Sequence, residues 1–479
     1  VSVVIIGAGQ GGLSAAIYSR LAGHDVLVLE KGCQAGGKAA EVRIGEYRLD
    51  PGPSIIILPR IYDGVFRDAG RRMEDYLRFK RLDPISRVFM EGESRVDLPA
   101  GMDECVRLLK DIAPMDAEPF RRLMASVGKI SSHIDQSVFA HPYLKSWQLM
   151  DPHLMAMGLA MDVRSPYKTV VDRTFQSPLL RAFFYGFPSY GGQTYDRPAP
   201  GAMMIPYLML SEGVFYPEGG VSAIPKAFRR LAEELGVEFR FNAEVTGFES
   251  EGRRVSGVQL ASGEKIEGST FISNVDRETT RSMAGHLGLG KPNLSYFTVH
   301  MGVRRRFEQL DHHTLFIPKG FESGFGQLYR ERRFPDSPIV YVNDPSSRDA
   351  TAAPPGCTNF FAVVTSPAEE SHIDWEAQGS DFMDKTLRQL QTFGLSIDRD
   401  EVDFTRIQTP SYFRKAHGNY GGSLYGVDEK ERIFGGIFPH HNRDENFENL
   451  LYCGGSVQPG AGLPMVTLSG KFAAGLIRN

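Results

Sequence analysis

An α/β fold is predicted, and three stretches predict it. Residues 1–6 form a short apolar, β-branched run that reads as a buried strand, and glycines follow at 7, 9 and 12 with the spacing G-x-G-x-x-G. Residues 25–29 read as a second strand that ends on Glu30, eighteen residues after Gly12. Residues 449–456 read as a strand running into glycines, with a helix expected over about 465–477. Together they describe a Rossmann-like dinucleotide-binding domain. The long middle of the chain, different in character, describes an α+β domain interleaved with it.

In order along the chain, Gly7 permits a tight turn, Gly9 lets a pyrophosphate approach the backbone, and Gly12 lets helix and strand pack closely. The helix starting near Leu13 turns its positive end toward that phosphate. Glu30 stands where an acceptor for ribose hydroxyls belongs. Gly36-Gly37-Lys38 suits a chain passing close to the dinucleotide, and Lys38 can offer charge to a phosphate. Residues 47–54 read as a strand entering a rigid turn. Pro51 and Pro53 fix φ there, and Gly52 allows close approach to a ring.

From about 60 to 210, helices are expected at 61–69, 102–113 and 118–137. A stretch rich in Met, Phe, Tyr and Leu follows, from Leu149 through Met161 to Tyr185. Such residues serve as core, as the wall of an apolar cavity, or as a patch that dips into a bilayer. The dinucleotide domain resumes near Gly213. A helix is expected over 222–235, capped by Gly236, then strands at 237–241, 255–260, 265–266 and 270–274. Residues 292–430 return to the second domain, with a strand at 296–300, a loop at 345–355 and a helix at 381–393. His312 and His313 are neighbours on an expected strand, so their side chains should face opposite ways, and no third ligand is spaced for a metal. Pro464 suits the first turn of the last helix, whose N-terminal dipole could face a ring that gains negative charge on reduction.

Composition narrows the class. With 479 residues and 42% hydrophobic content the chain is globular and long enough for two or more domains. The formal charge of −4, without basic tail or zinc spacing, makes nucleic acid an unexpected partner. Cys33, Cys105, Cys357 and Cys453 are scattered, fit no disulfide or metal pattern, and read as reduced intracellular thiols. The chain starts inside a strand without methionine, so residues are expected to precede it; no signal segment is visible. No run approaches the roughly 20 apolar residues of a membrane span, so any membrane contact is expected to be peripheral.

These motifs together resemble the FAD-dependent carotenoid desaturases of the bacterial phytoene desaturase type, within the amine-oxidase-like flavoprotein superfamily. The resemblance runs almost end to end. It rests on Gly7-x-Gly9-x-x-Gly12 with Glu30, on Gly36-Gly37-Lys38, on Leu49-Asp50-Pro51-Gly52-Pro53-Ser54 and on Phe215-Tyr216-Pro217-Glu218-Gly219-Gly220. Its most specific part is Gly454-Gly455-Ser456-Val457-Gln458-Pro459-Gly460-Ala461-Gly462-Leu463-Pro464, which looks like the family's C-terminal signature.

The resemblance implies an FAD-binding domain from 1–59, 212–290 and 431–479, and a substrate domain facing a membrane from 60–211 and 291–430. It implies FAD held by Gly7, Gly9, Gly12, Glu30, Lys31, Gly37, Lys38, Gly52, Pro53, Ser54, Val245, Gly455, Pro464 and Met465. The implied substrate is a lipid-soluble polyene, phytoene or a hydroxycarotenoid, reached from the cytoplasmic face of a membrane by a peripherally bound enzyme. A quinone or oxygen would take the electrons. The expected chemistry is hydride transfer from a carbon beside the conjugated segment to flavin N5, then loss of a proton from its neighbour. The same frame also suits a polyene reductase, a terminal-methyl oxidase, an amine oxidase or a non-enzymatic escort of prenylated proteins. Glu30 with Gly36-Gly37-Lys38 speaks against the last, which has no need of a phosphate site. Asp162, Arg164, Arg173, His300, His312 and His313 fall in the expected substrate domain, where a structural role for each outweighs a catalytic one, so the catalytic residue is left unknown.

Overall fold

The computed structural model describes residues 2–160, 162, 164–286, 290–370, 372–428 and 438–478. Met161, in the methionine-rich stretch, and the domain boundary expected at 430/431 lie outside the described residues.

The first strand, Ser2–Ile6, sits at the centre of a five-stranded parallel sheet. Its neighbours are Asp25–Leu29 and Thr270–Ser273, and the edges are Glu238–Arg240 and Leu450–Tyr452. Strand side chains alternate between faces, and here the two faces feed different cores. Val3, Ile5 and Val28 pack with Ile224, Phe228 and Leu231 on the helical side. Val4, Ile6 and Phe271 pack with Val245, Val258 and Leu260 on the other, where a three-stranded antiparallel sheet covers them. Strands buried on both faces read as continuous apolar runs, which is why residues 1–6 and 270–273 were recognisable.

Three helices cover the helical side: Gln10–Leu21, Ala223–Glu234 and Leu463–Gly475. The first and last approach closely through glycine. A Cβ on Gly470 would collide with the Gly11 carbonyl oxygen and stand 2.6 Å from the Ala15 nitrogen. Gly12 does the same job between the first strand and its helix, since a Cβ there would collide with the Gly7 carbonyl oxygen.

A second sheet has seven strands, in the order 402–408, 294–303, 358–367, 340–343, 313–317, 86–90 and 96–98. Only the pairing of His313–Ile317 with Ser86–Met90 is parallel. One face of this sheet, with Phe297, Val299, Phe316, Val342 and Phe360, packs with Trp375 and Leu390 of the helix Trp375–Gln391. That helix begins earlier than expected because the Asp374 carboxylate caps it, accepting the N–H groups of Glu376 and Ala377. The helices of residues 102–211 form a third core around Phe120, Met124, Phe175 and Phe184. The long helix Pro114–Ile134 also starts ahead of expectation, with Pro114 in its first turn. Among the described residues no helix is long and apolar enough to cross a membrane. The expected α/β class is therefore the observed one, a Rossmann-like parallel sheet joined to an α+β region.

A buried ion pair ties these parts together. Arg48 donates to the Gly219 carbonyl at 2.6 Å, to Asp349 at 2.6 Å and to the Tyr216 hydroxyl at 3.1 Å. Asp50 accepts the Val221 N–H at 2.9 Å and lies 3.9 Å from Arg48. A Cβ at Gly220, where φ is +87°, would strike the Arg48 guanidinium. The motifs around Asp50 and Gly219-Gly220 are thus two halves of one lock.

Candidate functional site

A single cavity of about 1690 Å³ is lined by the carboxyl ends of the parallel strands, by the Gly52–Ser54 turn, by the inner face of the seven-stranded sheet and by the helices of 134–209. Ligands of open parallel sheets sit beyond the carboxyl ends of the strands.

At one end the wall is polar backbone. Gly7 turns at φ +94° and donates its N–H to Leu29 at 2.7 Å. The helix after it begins at Gly9, which caps it with no side chain, and no acid lies in its first turn. Helix Leu463–Gly475 begins in the same way at Gly462. Two helix N-termini with side-chain caps missing therefore border one cavity, each with unsatisfied N–H groups and partial positive charge. The Glu30 carboxylate is fixed between the glycine loop and the chain just past the second strand. Its two oxygens accept the N–H of Ala8 at 2.7 Å and of Gly32 at 2.8 Å. Each oxygen keeps a further lone pair for a hydroxyl.

Gly7, Gly9, Glu30, Lys31, Gly37, Lys38, Gly52, Pro53, Ser54, Val245, Gly455, Pro464 and Met465 all line the cavity, and Gly12 lies behind its wall. Two details add to the sequence reading. Gly52 is required by the chain itself, because a Cβ there would collide with the Lys38 carbonyl oxygen. The Lys38 amine donates to the Asn419 side chain at 3.1 Å, and Lys31 donates to the Lys415 carbonyl at 3.2 Å. Burial pushes the Lys38 pKa down, against the attraction of Asp276. Burial raises the Asp276 carboxyl to about 6, although the Glu278 N–H and Lys38 both favour its charged form. His417, also in the wall, is lowered to about 3 by burial, with Lys38 and Lys31 adding to the effect.

Asn274 was missed from sequence. It follows the strand Thr270–Ser273, so it stands at a carboxyl strand end. Its amide fills the space beside two glycines, 2.6 Å from where a Cβ on Gly9 or on Gly11 would lie. Its position directly after a buried strand was the available signal.

The other end of the cavity is apolar, with Met157, Phe187, Leu208 and Phe325 in the wall. Over it lies the inner face of the seven-stranded sheet, which presents Tyr296, Thr298, His313, Leu315, Tyr341 and Val363. The alternation that buries Phe297 and Val342 on the outer face turns Tyr296 and Tyr341 inward. Tyr341 hydroxyl lies 2.8 Å from Ser54 Oγ and 2.7 Å from His313 Nδ1. Tyr425 donates to the Tyr296 hydroxyl at 2.6 Å. Burial raises the pKa of all three tyrosines and lowers His313 to about 3, so these groups are neutral across the physiological range.

Of the six polar side chains considered from sequence, only His313 reaches the cavity. Asp162 accepts the Arg164 and Ser165 N–H groups in an exposed turn and faces Arg173 at 3.9 Å. His300 is buried and stacks on Phe361 with ring centroids 4.0 Å apart. His312 packs edge-on against Tyr216 at 4.6 Å. The expectation that His312 and His313 face opposite ways is not met: their rings touch, 4.5 Å apart. The strand starts only at His313, so strand alternation does not govern His312. Among the described residues no group of three or more His, Cys, Asp or Glu could hold a metal.

With this geometry, comparison with known proteins is decisive at the family level. Residues 11–478 match the flavin containing amine oxidoreductases. The chain belongs to that family. Within the flavin containing amine oxidoreductases it is related to the carotenoid enzymes, as the motifs implied. It is 30% identical to the 4,4'-diaponeurosporene oxygenase of Staphylococcus aureus over 98% of this chain and 97% of the relative. Among solved structures, an oxidoreductase from Methanosarcina mazei matches with TM-score 0.65 at 16% identity, over 98% of this chain and 99% of the other. A putrescine oxidase bound to putrescine matches with TM-score 0.62 at 14% identity, over 99% and 98%. Those two likenesses show the fold alone.

The buried Asp276 sets a pH dependence. Its folded pKa of about 6 lies above the ordinary carboxyl value, so the folded state keeps a proton that the unfolded state loses between about pH 4 and 6. Stability from this group falls as pH rises through that window. Asp276→Asn keeps the cap to Glu278 and removes the charge. Relative to wild type it should gain stability across pH 4 to 6, reaching about 3 kcal/mol at pH 7. Denaturant midpoints at each pH measure this, and parallel curves would show that Asp276 titrates ordinarily.

Proposed function

We propose that the protein is an FAD-dependent oxidoreductase that desaturates a carotenoid. The observation that carries this is the continuity of one cavity, from two uncapped helix N-termini and a fixed Glu30 to a chamber walled by Met157, Phe187 and Leu208. Its volume of about 1690 Å³ exceeds the roughly 300–1,000 Å³ of a pocket for one small ligand. FAD with a long apolar substrate matches both the size and the division into polar and apolar ends.

The residues present fit FAD. Glu30, with both oxygens anchored and lone pairs to spare, suits ribose hydroxyls. The N-terminus at Gly9 suits the pyrophosphate, and Gly52, Pro53 and Ser54 with Pro464 and Met465 suit the ring system. Bound there, FAD would supply a two-electron acceptor for a C–H bond beside a conjugated chain. The chain's own residues would orient the polyene along the apolar wall, exclude water, and offer the dipole of helix Leu463–Gly475 to charge gathering on the ring. In this reading 1–59, 212–290 and 431–479 form the FAD domain, and 60–211 and 291–430 the substrate domain.

A bilayer surface is the proposed source of substrate. The turn Ser146–Met150 and the helix Pro152–Ala160 give Leu149, Leu154 and Met157 to the cavity wall. The same segments expose Trp147 at 67%, Met150 at 73% and Met155 at 50% to the outside. Exposed apolar side chains grouped on a thin wall mark a surface for a membrane.

A second reading has one specific support: the relative 30% identical over almost the whole chain is named an oxygenase. On that reading the polyene gains oxygen at a terminal carbon instead of losing two hydrogens.

Glu30→Ala should weaken FAD binding by about 1–3 kcal/mol, the scale of a hydrogen bond to a charged group. Titration of flavin fluorescence measures it, and unchanged affinity removes Glu30 from the site. FAD-loaded protein mixed anaerobically with liposomes carrying phytoene or a partly desaturated carotene should bleach the flavin and give a product lighter by two hydrogens. A product appearing only with oxygen and carrying an oxygen atom would favour the second reading; no reaction with any polyene would sink both. Trp147→Ser with Met150→Ser and Met155→Ser should reduce vesicle binding about tenfold or more, since one buried apolar side chain contributes about 1.5–3 kcal/mol. Equal sedimentation with vesicles would place the docking surface elsewhere.

A further inference from the structure

Six polar groups share the deep part of the cavity: Ser54, Tyr190, Tyr296, His313, Tyr341 and Tyr425. They come from the Gly52–Ser54 turn, the 187–191 turn, three strands of the large sheet and the loop after 422. Tyr190, Tyr296 and Tyr341 lie close enough to affect one another's ionisation. A chamber made only for hydrocarbon has no use for such a cluster.

Counting protons shows what the cluster leaves unused. Ser54, Tyr341 and neutral His313 carry three protons and share two hydrogen bonds. One proton is therefore left over, on His313 Nε2, Ser54 Oγ or the Tyr341 hydroxyl, according to the directions of the two bonds. His313 Nε2 is buried and has no partner among the described residues. Tyr296 accepts from Tyr425, so its own proton is left over as well. Tyr190 is 39% exposed, although burial raises its pKa, because its surface faces the cavity and not bulk water. Its hydroxyl forms no hydrogen bond among the described residues. Two donors, on Tyr190 and Tyr296, are thus free toward one enclosed space, whereas the buried His313 Nε2 is closed off from it. An unpaired donor in an apolar site is costly, and a ligand acceptor relieves that cost.

We propose that this cluster is a subsite for a neutral oxygen function, a hydroxyl or carbonyl group, carried by the polyene substrate. The inference rests on the carotenoid reading above and narrows it to oxygen-bearing polyenes. Neutrality of the ligand follows from neutrality of the cluster: none of the six groups is a cation that would hold a carboxylate. Because Ser54 adjoins Pro53 in the turn assigned to the ring system, the oxygen-bearing end of the chain would lie at the reacting end of the cavity.

The test compares two probes, phytoene and phytoene carrying one terminal hydroxyl, each titrated anaerobically into FAD-loaded protein in detergent micelles. The hydroxylated probe should bind about tenfold more tightly, the effect of one net hydrogen bond. Tyr296→Phe should bring that preference close to one and leave phytoene affinity unchanged; Tyr190→Phe, whose hydroxyl has no protein partner to lose, gives the same measurement if Tyr296→Phe fails to fold. Equal affinity of wild type for both probes would overturn the subsite while leaving the carotenoid reading intact, as would a variant that weakens both probes alike. Binding of neither probe would overturn both.

Discussion

The close contact of the first and last helices is the constraint on which the site depends. Gly470 meets the backbone of Gly11 and Ala15 with no room for a methyl group. That contact brings the helices starting at Gly9 and at Gly462 together at one end of the parallel sheet. Neither helix carries a side-chain cap, so both present bare N–H groups to the same cavity. Asn274, from a third segment, closes the gap between the Gly9–Gly11 loop and Gly454. A larger residue at 470 would separate the two ends and divide the polar cradle. The tail of the chain is thus as much a part of the dinucleotide site as the glycine loop at its beginning.

The large sheet illustrates how one element can serve two chemistries. Its outer face is largely apolar and holds a helix by close packing of Phe297 and Phe316 with Trp375 and Leu390. Its inner face mixes Tyr296, Thr298, His313 and Tyr341 with Leu315 and Val363. Packing rigidity on one side helps to hold His313 and Tyr341 within hydrogen-bonding distance on the other.

What the sequence made legible follows the same physics. Gly7, Gly9, Gly12 and Glu30 belong to one short segment whose spacing encodes its geometry, and the tail motif is equally local. Arg48 and Asp50 were legible as a motif but not as a lock, because their partners Gly219, Val221 and Asp349 come from distant segments. Tyr296, Tyr341 and Tyr425 carried no local signal: the first two are strand residues brought to one face by the pairing of the sheet, and Tyr425 joins them from a loop distant in sequence. The histidine pair misled because strand alternation was applied one residue before the strand begins. Gly52 was singled out for close approach to a ring, and the structure adds a constraint from the Lys38 carbonyl, which no spacing rule reveals.

The central sheet also has a history in time. Ser2–Ile6 is made well before Leu450–Tyr452 and the helix that seats Gly470. At about 5–20 residues per second, roughly 20–90 s of synthesis separate them. Through that interval the strand pairs with Asp25–Leu29 and later with Thr270–Ser273, but the sheet lacks its Leu450–Tyr452 edge and the helix Gln10–Leu21 lacks the partner that Gly470 seats against it. A truncation that removes only the chain's last turns of helix would leave the first strand's sheet with two of its three covering helices intact and the third cut short.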